Sequence, residues 1–432
     1  MASVSLPDLP KGKEFEEYIS AFFQSGGNYI ERNIIERGVE EVLELDIITT
    51  DYCLSPPQIK LLEVKSGNWG FSDLFKLRGW MDYLNIPNGV FVATNKANSN
   101  VDFYKEKAKK LNIDLVVIAN LSESKEALSE LINNNRTIED IDITTWRFSY
   151  WVERNLLEHL KNKKKSDQNK KCFKALKDYY FELNSEIFFA ENIVQKVEKL
   201  YTIFQNFPHI SAKCGNELIG NTFDGEYNIL PKDIYHDTYY DCIYNDIQIS
   251  TFIEHRARLA ILKSAIDYTL NKEAEAEAKN ELGLSPLDSL PSSFQKGLDI
   301  ISKHKYFHKY PVFWQWFMWI FGGFILKDYE DEEYKILSQK SGIPIEEIPK
   351  ALEVYQILFP QDDGWFMDLS PASNIKMMKM FPVPFMGVGA NYRILIYTES
   401  KKFEDLKLTG MYTLNDLIKW NNLTVKVLRN NN

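Results

Sequence analysis

Cysteine and histidine are scarce in this chain. Its 432 residues hold four cysteines (Cys53, Cys172, Cys214 and Cys242) and six histidines. The cysteines are scattered, with no C-x-x-C pair. That excludes zinc-ribbon and disulfide-scaffold architectures and suits a reducing cytoplasm, so a cytoplasmic location is expected. His304 and His308 stand four apart, as helical metal ligands can, but no glutamate follows His304 as H-E-x-x-H requires. They read as surface or capping residues. Long apolar runs are lacking too. The most apolar stretch, Pro311 to Leu326, is shorter than the about 20 residues of a membrane helix. It also contains Gln315 and Gly322-Gly323, and acids follow it. A buried core helix or a subunit interface is the expected role, and no membrane partner is expected. No signal peptide opens the chain, and no internal repeat is visible.

An excess of positive charge is also missing. Lys and Arg number 51 against 61 Asp and Glu, a net charge of −10. Proteins that grip duplex nucleic acid are usually basic overall, because cation–phosphate contacts supply much of the affinity. Any nucleic acid would have to be held by local patches, by a partner protein, or by a homo-oligomer that pools its basic surface.

What the chain does have is acids inside apolar strands. Leu61-Leu62-Glu63-Val64-Lys65 reads as a buried strand carrying an acid and a lysine two residues apart. Residues i and i+2 of a strand share a face, so Glu63 and Lys65 project together and Val64 projects to the other side. Upstream, Val42-Leu43-Glu44-Leu45-Asp46-Ile47-Ile48 is a second apolar strand that Asp46 interrupts. Acids in strands are costly to bury without a partner or a metal. Two adjacent strands, each offering one carboxylate beside a lysine, suit Mg²⁺, which binds through oxygen and takes one or two carboxylates. Glu44 shares Asp46's face and competes with it as a ligand. Asp51 falls in a turn and reads as a cap.

Together these residues resemble the PD-(D/E)XK nuclease superfamily, which includes restriction endonucleases and Holliday-junction resolvases. The resemblance covers roughly residues 11–120. Gly12-Lys13-Glu14-Phe15-Glu16 looks like the family's opening helix, and Gly26 to Glu31 like the turn and first strand. Sixteen residues lie between Asp46 and Glu63, room for a hairpin through Ser55-Pro56-Pro57. A helix from Asp73 to Leu84, a strand from Asn88 to Thr94, a helix from Val101 to Leu111 and a strand from Asp114 to Ala119 complete an αβββαβαβ order. Many members carry a glutamine on the helix after the lysine, and Asp73–Leu84 has none.

The resemblance implies a Mg²⁺-dependent endonuclease, with Mn²⁺ as a substitute, acting on DNA. Asp46, Glu63 and Lys65 would be catalytic. Asp46, Glu63, the carbonyl of Val64 and Glu16 of the opening helix would hold the metal. Glu14 and Glu17 read as solvated helix charges. A bound metal would lower the pKa of Lys65, which favours a role in orienting or deprotonating water. Lys76, Arg78 and Lys96 lie nearest the catalytic strands as phosphate contacts. Lys163, Lys164 and Lys165 belong to a lysine-rich stretch that reads equally as a second nucleic-acid patch or a solvated linker. By analogy of architecture, the chain would serve a bacterial restriction or anti-phage system, its larger half regulating, recognising or assembling. A nuclease fold acting only as a binding or assembly subunit is the alternative.

The expected class is thus α/β. A restriction-endonuclease-like core (1–143) precedes a mainly helical accessory region (144–310) and a mixed α/β C-terminal region (311–432). In the accessory region Trp146 to His159, Lys171 to Phe207 and Glu254 to Leu282 read as helical. In the last region Glu333 to Phe359 resembles a helix-turn-helix, interrupted by Pro349. Its second helix carries Glu346, Glu347 and Glu353, so it suits a winged-helix-like packing element better than a base reader. Tyr392 to Tyr397 and Leu423 to Leu428 read as strands, with a helix at Leu414–Trp420 between them.

Overall fold

Strand periodicity and glycine, proline and asparagine punctuation build the first half of the molecule. A computed structural model describes residues 10–37, 40–94, 100–132, 136–162, 170–190, 192–203, 238–271, 290–326, 329–359, 375–377 and 383–397. Among these, the chain forms two compact units, one running to Tyr150 and the other from Trp151 to Tyr397.

The first unit runs α1 (Lys13–Ser25), β1 (Tyr29–Arg37), β2 (Glu41–Asp51), β3 (Gln58–Lys65), α2 (Phe71–Tyr83), β4 (Asn88–Thr94), α3 (Val101–Lys109), β5 (Ile113–Ile118), α4 (Leu121–Ser129) and α5 (Asp140–Asn162). This is the α/β order expected from the sequence. The five strands form one mixed sheet in the order β1-β2-β3-β4-β5. The β1–β2 and β2–β3 pairs are antiparallel, and β3–β4 and β4–β5 are parallel. Strands β3 and β4 have a neighbour on each side, and Leu61, Leu62, Val64 and Val90 to Ala93 are all buried. Such near-continuous apolar runs are what a strand covered on both faces requires. Helix α1 packs on the antiparallel part of the sheet and buries Phe15, Tyr18, Ile19, Phe22 and Phe23.

Helix α5 starts as part of this unit. Trp146 is fully buried, the Tyr150 hydroxyl bonds the Gln24 side chain, and the Arg32 guanidinium lies 4.1 Å from the Tyr150 ring centroid. These contacts belong to the unit that runs to Tyr150.

The second unit contains α6 (Lys170–Asn184), α7 (193–203), α8 (Thr238–Leu270), α9 (Ser292–Ile301), α10 (Tyr310–Gln315), β6 (Phe324–Leu326), α11 (Glu330–Ser341), α12 (Ile348–Leu358), β7 (Ile375–Met377) and α13 (Val383–Tyr397). Strands β6 and β7 pair antiparallel. The aromatic run after Pro311 forms α10 and a π-helical turn, Trp316–Ile320. Trp314, Trp316, Phe317 and Phe321 are at most 1% exposed, so the run is covered by its own chain and needs no second protomer. No helix among the described residues is long and apolar enough to cross a membrane.

Three expectations change here. Tyr392 to Tyr397 is not a strand but the end of α13. Its buried residues Phe385, Val388, Tyr392 and Leu395 follow helical spacing, which a six-residue window hides. Pro349 does not interrupt a helix; it sits in the first turn of α12, where the missing N–H costs nothing. Gly342, in the left-handed conformation with φ 74°, closes α11. The helix expected from Glu254 already begins at Thr238, and its described part ends at Leu270. Leu414–Trp420, Leu423–Leu428, Lys96 and Lys163 to Lys165 lie outside the described residues.

Candidate active site

The β2–β3 ladder runs from Asp51↔Gln58 to Ile47↔Leu62 and stops there. Beyond it β3 stays bound to β4, with Glu63 beside Phe91 and Lys65 beside Ala93. Asp46 is the first β2 residue past the end of the ladder. Its Oδ2 accepts the Val64 N–H at 3.0 Å, a side chain standing in for the next backbone partner. Opposite Asp46 on the β1 side, the register skips Asn33, which has a left-handed backbone (φ 53°). The strands therefore part at the residue that carries the first carboxylate.

Glu63 is 2% exposed. Its Oε1 receives Lys65 Nζ at 2.7 Å, and Lys76 Nζ from α2 stands 3.8 Å away. Its Oε2 is buried and has no hydrogen-bond partner. A buried carboxylate oxygen without a donor is unfavourable by the usual rules; Glu36, Asp51 and Glu254 each carry one as well. Lys76 also lies 4.0 Å from the Trp80 ring centroid, one helical turn on, and its side chain is 48% exposed. One basic group therefore links the buried acid to solvent.

The acids act on one another. Burial, and then the charges of Glu63 and Glu16, push the Asp46 carboxyl up to about 8, against the Val64 N–H bond and Lys65. Glu16, on α1, is raised as well, by burial first and by Glu44 and Glu63, although Arg32 and Lys13 oppose this. Three carboxyl groups thus share one field, and a cation would relieve it. The same acids act on Lys65. Burial lowers it, but the hydrogen bond to Glu63 and the charges of Glu63, Asp46 and Asp73 outweigh burial and raise its pKa.

The opening helix is tied to the same place. Gly12, with φ 54° and ψ −133°, turns the chain into α1 in a conformation open only to glycine, and its N–H donates to Ser66 Oγ at 2.7 Å just past Lys65. The start of α1 and the end of β3 are therefore clamped together.

The structure thus brings together Asp46, Glu63, Lys65, Lys76 and, through its field, Glu16. Val64 enters through its N–H. Arg78 turns elsewhere: it is forked onto Asp82, and its Nη1 donates to the Leu111 carbonyl at 3.3 Å. Glu44 is exposed, and Asp51 accepts the Cys53 N–H at 2.9 Å as the cap of the β2–β3 turn. Glu17 is not a solvated charge; it is 4% exposed and lies in the field of Arg147. Ser66 and Asn33 were not singled out by sequence reasoning. The glycine at position 12 was the signal available for the first; the second has none, since asparagine in a strand does not announce a positive φ.

No group of three or more His, Cys, Asp or Glu side chains placed to hold a metal ion occurs among the described residues. No protein-family model matches the chain, and no curated protein or solved structure matches it.

Proposed function

We propose that this chain is a metal-dependent endonuclease that hydrolyses phosphodiester bonds in DNA, with Asp46, Glu63 and Lys65 as its catalytic set. The observation that carries this reading is the buried, half-satisfied Glu63 at the splayed end of β2 and β3, facing Asp46 and two lysines. Bare buried carboxylate oxygens also occur at Asp51, Glu36 and Glu254; what sets Glu63 apart is its place at a splayed strand end beside Asp46 and two lysines.

The donor set fits Mg²⁺ or Mn²⁺. Asp46, Glu63 and the Val64 carbonyl would hold the ion, with Glu16 at the margin. Mg²⁺ needs only one or two carboxylates because it keeps several of its waters. Such an ion supplies a polarised phosphoryl oxygen and a bound water of lowered pKa. The remaining roles belong to the chain. Lys65, held protonated by Glu63, neutralises charge that develops on the phosphate and orients the attacking water by donating to it. Lys76, half exposed on α2, meets a phosphate entering the cleft. The Gly12–Ser66 bond fixes α1 against β3, so that Glu16 keeps its distance from Glu63.

A catalytic unit joined to a larger helical unit fits an effector whose activity is controlled, as in bacterial restriction and anti-phage systems; this step rests on architecture alone. A second reading has its own observation. Lys65 and Lys76 both meet Glu63 Oε1, and the Val64 N–H occupies Asp46 Oδ2; acids already engaged in this way suit a nuclease fold that binds nucleic acid without cutting it. Incubation with supercoiled, linear and single-stranded DNA and with RNA, in Mg²⁺, Mn²⁺, Ca²⁺ and EDTA, separates the two. Nuclease chemistry requires cleavage of DNA in Mg²⁺ and Mn²⁺ and none in Ca²⁺ or EDTA. Tight binding with no cleavage in any metal establishes the binding subunit instead.

A further inference from the structure

Exposed aromatic rings gather beside this site. Phe75 on α2 is 62% exposed and Phe103 on α3 is 45% exposed. Single exposed apolar residues need no explanation, but Phe103 belongs to a ring array that Phe75 adjoins along α2. Phe71 opens α2 and stacks on Tyr104 of α3, with centroids 4.5 Å apart and planes 23° apart, and it meets Phe103 edge-on at 5.7 Å. Phe75 follows Phe71 by four residues, which places both on one face of α2. The array is held rigid from below. Trp69 packs on Phe91 of β4 and on Tyr104, and its Nε1 donates to the Thr94 carbonyl at the end of β4. Asn100 caps α3 by accepting the Phe103 N–H at 3.1 Å.

The array shares an edge with the acids. Helices α2 and α3 start where parallel strands β3 and β4 end, and Glu63 and Lys65 close β3. Lys76, next in sequence to Phe75, reaches Glu63. The surroundings are basic in an acidic chain. Residues 71–110 carry seven Lys and Arg against four Asp and Glu, where the whole chain is at −10. Lys107 lies 5.1 Å from the Phe103 ring centroid.

Rigid, solvent-facing rings amid lysines are the chemistry that takes an unpaired base on its flat face and its phosphate on an ammonium group. In a duplex both faces of a base are already stacked, so such rings have nothing to grip. We infer that the face formed by Phe71, Phe75 and Phe103 is a base-stacking platform, and that the strand entering the site is single-stranded or locally unpaired nucleic acid. This rests on the nuclease reading for the identity of the site but not for the binding itself.

Fluorescence anisotropy of the full chain in EDTA tests it with three labelled probes of about 20 nucleotides: oligo-dT, an abasic strand of equal charge, and a duplex. A stacked base is worth roughly a five- to hundredfold gain in affinity. Oligo-dT is expected to bind at least about tenfold tighter than either other probe. Phe75→Ala with Phe103→Ala loses that margin on oligo-dT and leaves abasic binding unchanged, and Phe75→Tyr retains it. Phe75→Leu separates a ring from mere apolar surface, because leucine keeps the apolar bulk but cannot stack. Equal binding of oligo-dT and the abasic strand, or an alanine variant that binds like the wild type, overturns the inference. So does a wild-type dimer in sedimentation that the alanine pair returns to monomer, since the face would then be a self-interface. Ring-dependent binding without cleavage in Mg²⁺ leaves the platform standing and removes the nuclease reading. Cleavage of duplex DNA without ring dependence does the reverse.

Discussion

Glu63 in the first unit and Glu333 in the second are both buried acids beside a basic partner, and they are built in opposite ways. Glu333 is fully buried and held by both arms of Arg393. That guanidinium spends its other donors on the carbonyls of Phe321, Gly389 and Phe324, and it lies 4.0 Å from the Phe324 ring centroid. Charge, hydrogen bonds and packing all close on themselves, so the pair ties α11, α13 and β6 together. Glu63 instead meets two partly exposed lysines on one oxygen and leaves the other bare. The saturated pair ties elements together; under the proposed function the unsaturated one, at a splayed strand end beside Asp46, is where the ion would bind.

The comparison can be broken first at the saturated pair. Arg393→Met leaves Glu333 charged and buried without its partner, which costs about 3–5 kcal/mol. Chemical denaturation should show that loss for the second unit. A loss below about 1 kcal/mol would mean that the pair is no tie at all.

At the unsaturated site the sign is reversed. The folded chain holds the Asp46 proton up to about pH 8, while an unfolded carboxyl releases it near pH 4. Between those values the folded state binds more protons, so the stability from this group falls as pH rises. Asp46→Asn removes the penalty. Without metal, its stability against unfolding should exceed the wild type's by a margin that grows from pH 5 to pH 8, on the order of 1 kcal/mol per pH unit. A variant less stable than wild type at pH 8 would show Asp46 to be a structural acid like Glu333. Mg²⁺ should also stabilise the wild type and not this variant, by about 2.7 kcal/mol at a hundredfold excess over Kd.

The smallest effect belongs to Lys76. Lys76→Gln should weaken nucleic-acid binding modestly and reduce the slope of log K against log salt by about 0.7–0.9, the share of one phosphate contact. Arg78→Gln should leave the slope unchanged, since Arg78 is committed to Asp82 and the Leu111 carbonyl. Equal slopes for wild type and Lys76→Gln would place this lysine outside the nucleic-acid path.

Much of the first unit was legible in the sequence because its signals are local. Strand parity put Glu63 and Lys65 on one side, and their 2.7 Å contact agrees. An acid inside an apolar strand marked Asp46, and the Pro-containing turn between Asp51 and Gln58 marked the hairpin. What was not legible depends on how elements sit on one another. The approach of Lys76 to Glu63 needs the rotation of α2 on the sheet. The burial of Glu17 needs the arrival of Arg147 from a distant helix. In the second unit, Tyr392 to Tyr397 has the β-branched and aromatic look of a strand, but tertiary contacts through Tyr392 and Arg393 decide for helix.

The central claim is that Glu63 holds its bare oxygen for catalysis and not for the fold. Cleavage by wild type and Glu63→Gln, measured side by side in Mg²⁺ with melting curves on the same samples, tests it most directly. The account predicts Mg²⁺-dependent cutting by the wild type, a loss of more than about a hundredfold in the variant, and a melting temperature that stays level or rises. A Glu63→Gln protein that cuts at the wild-type rate, or that loses activity only because it unfolds, contradicts it.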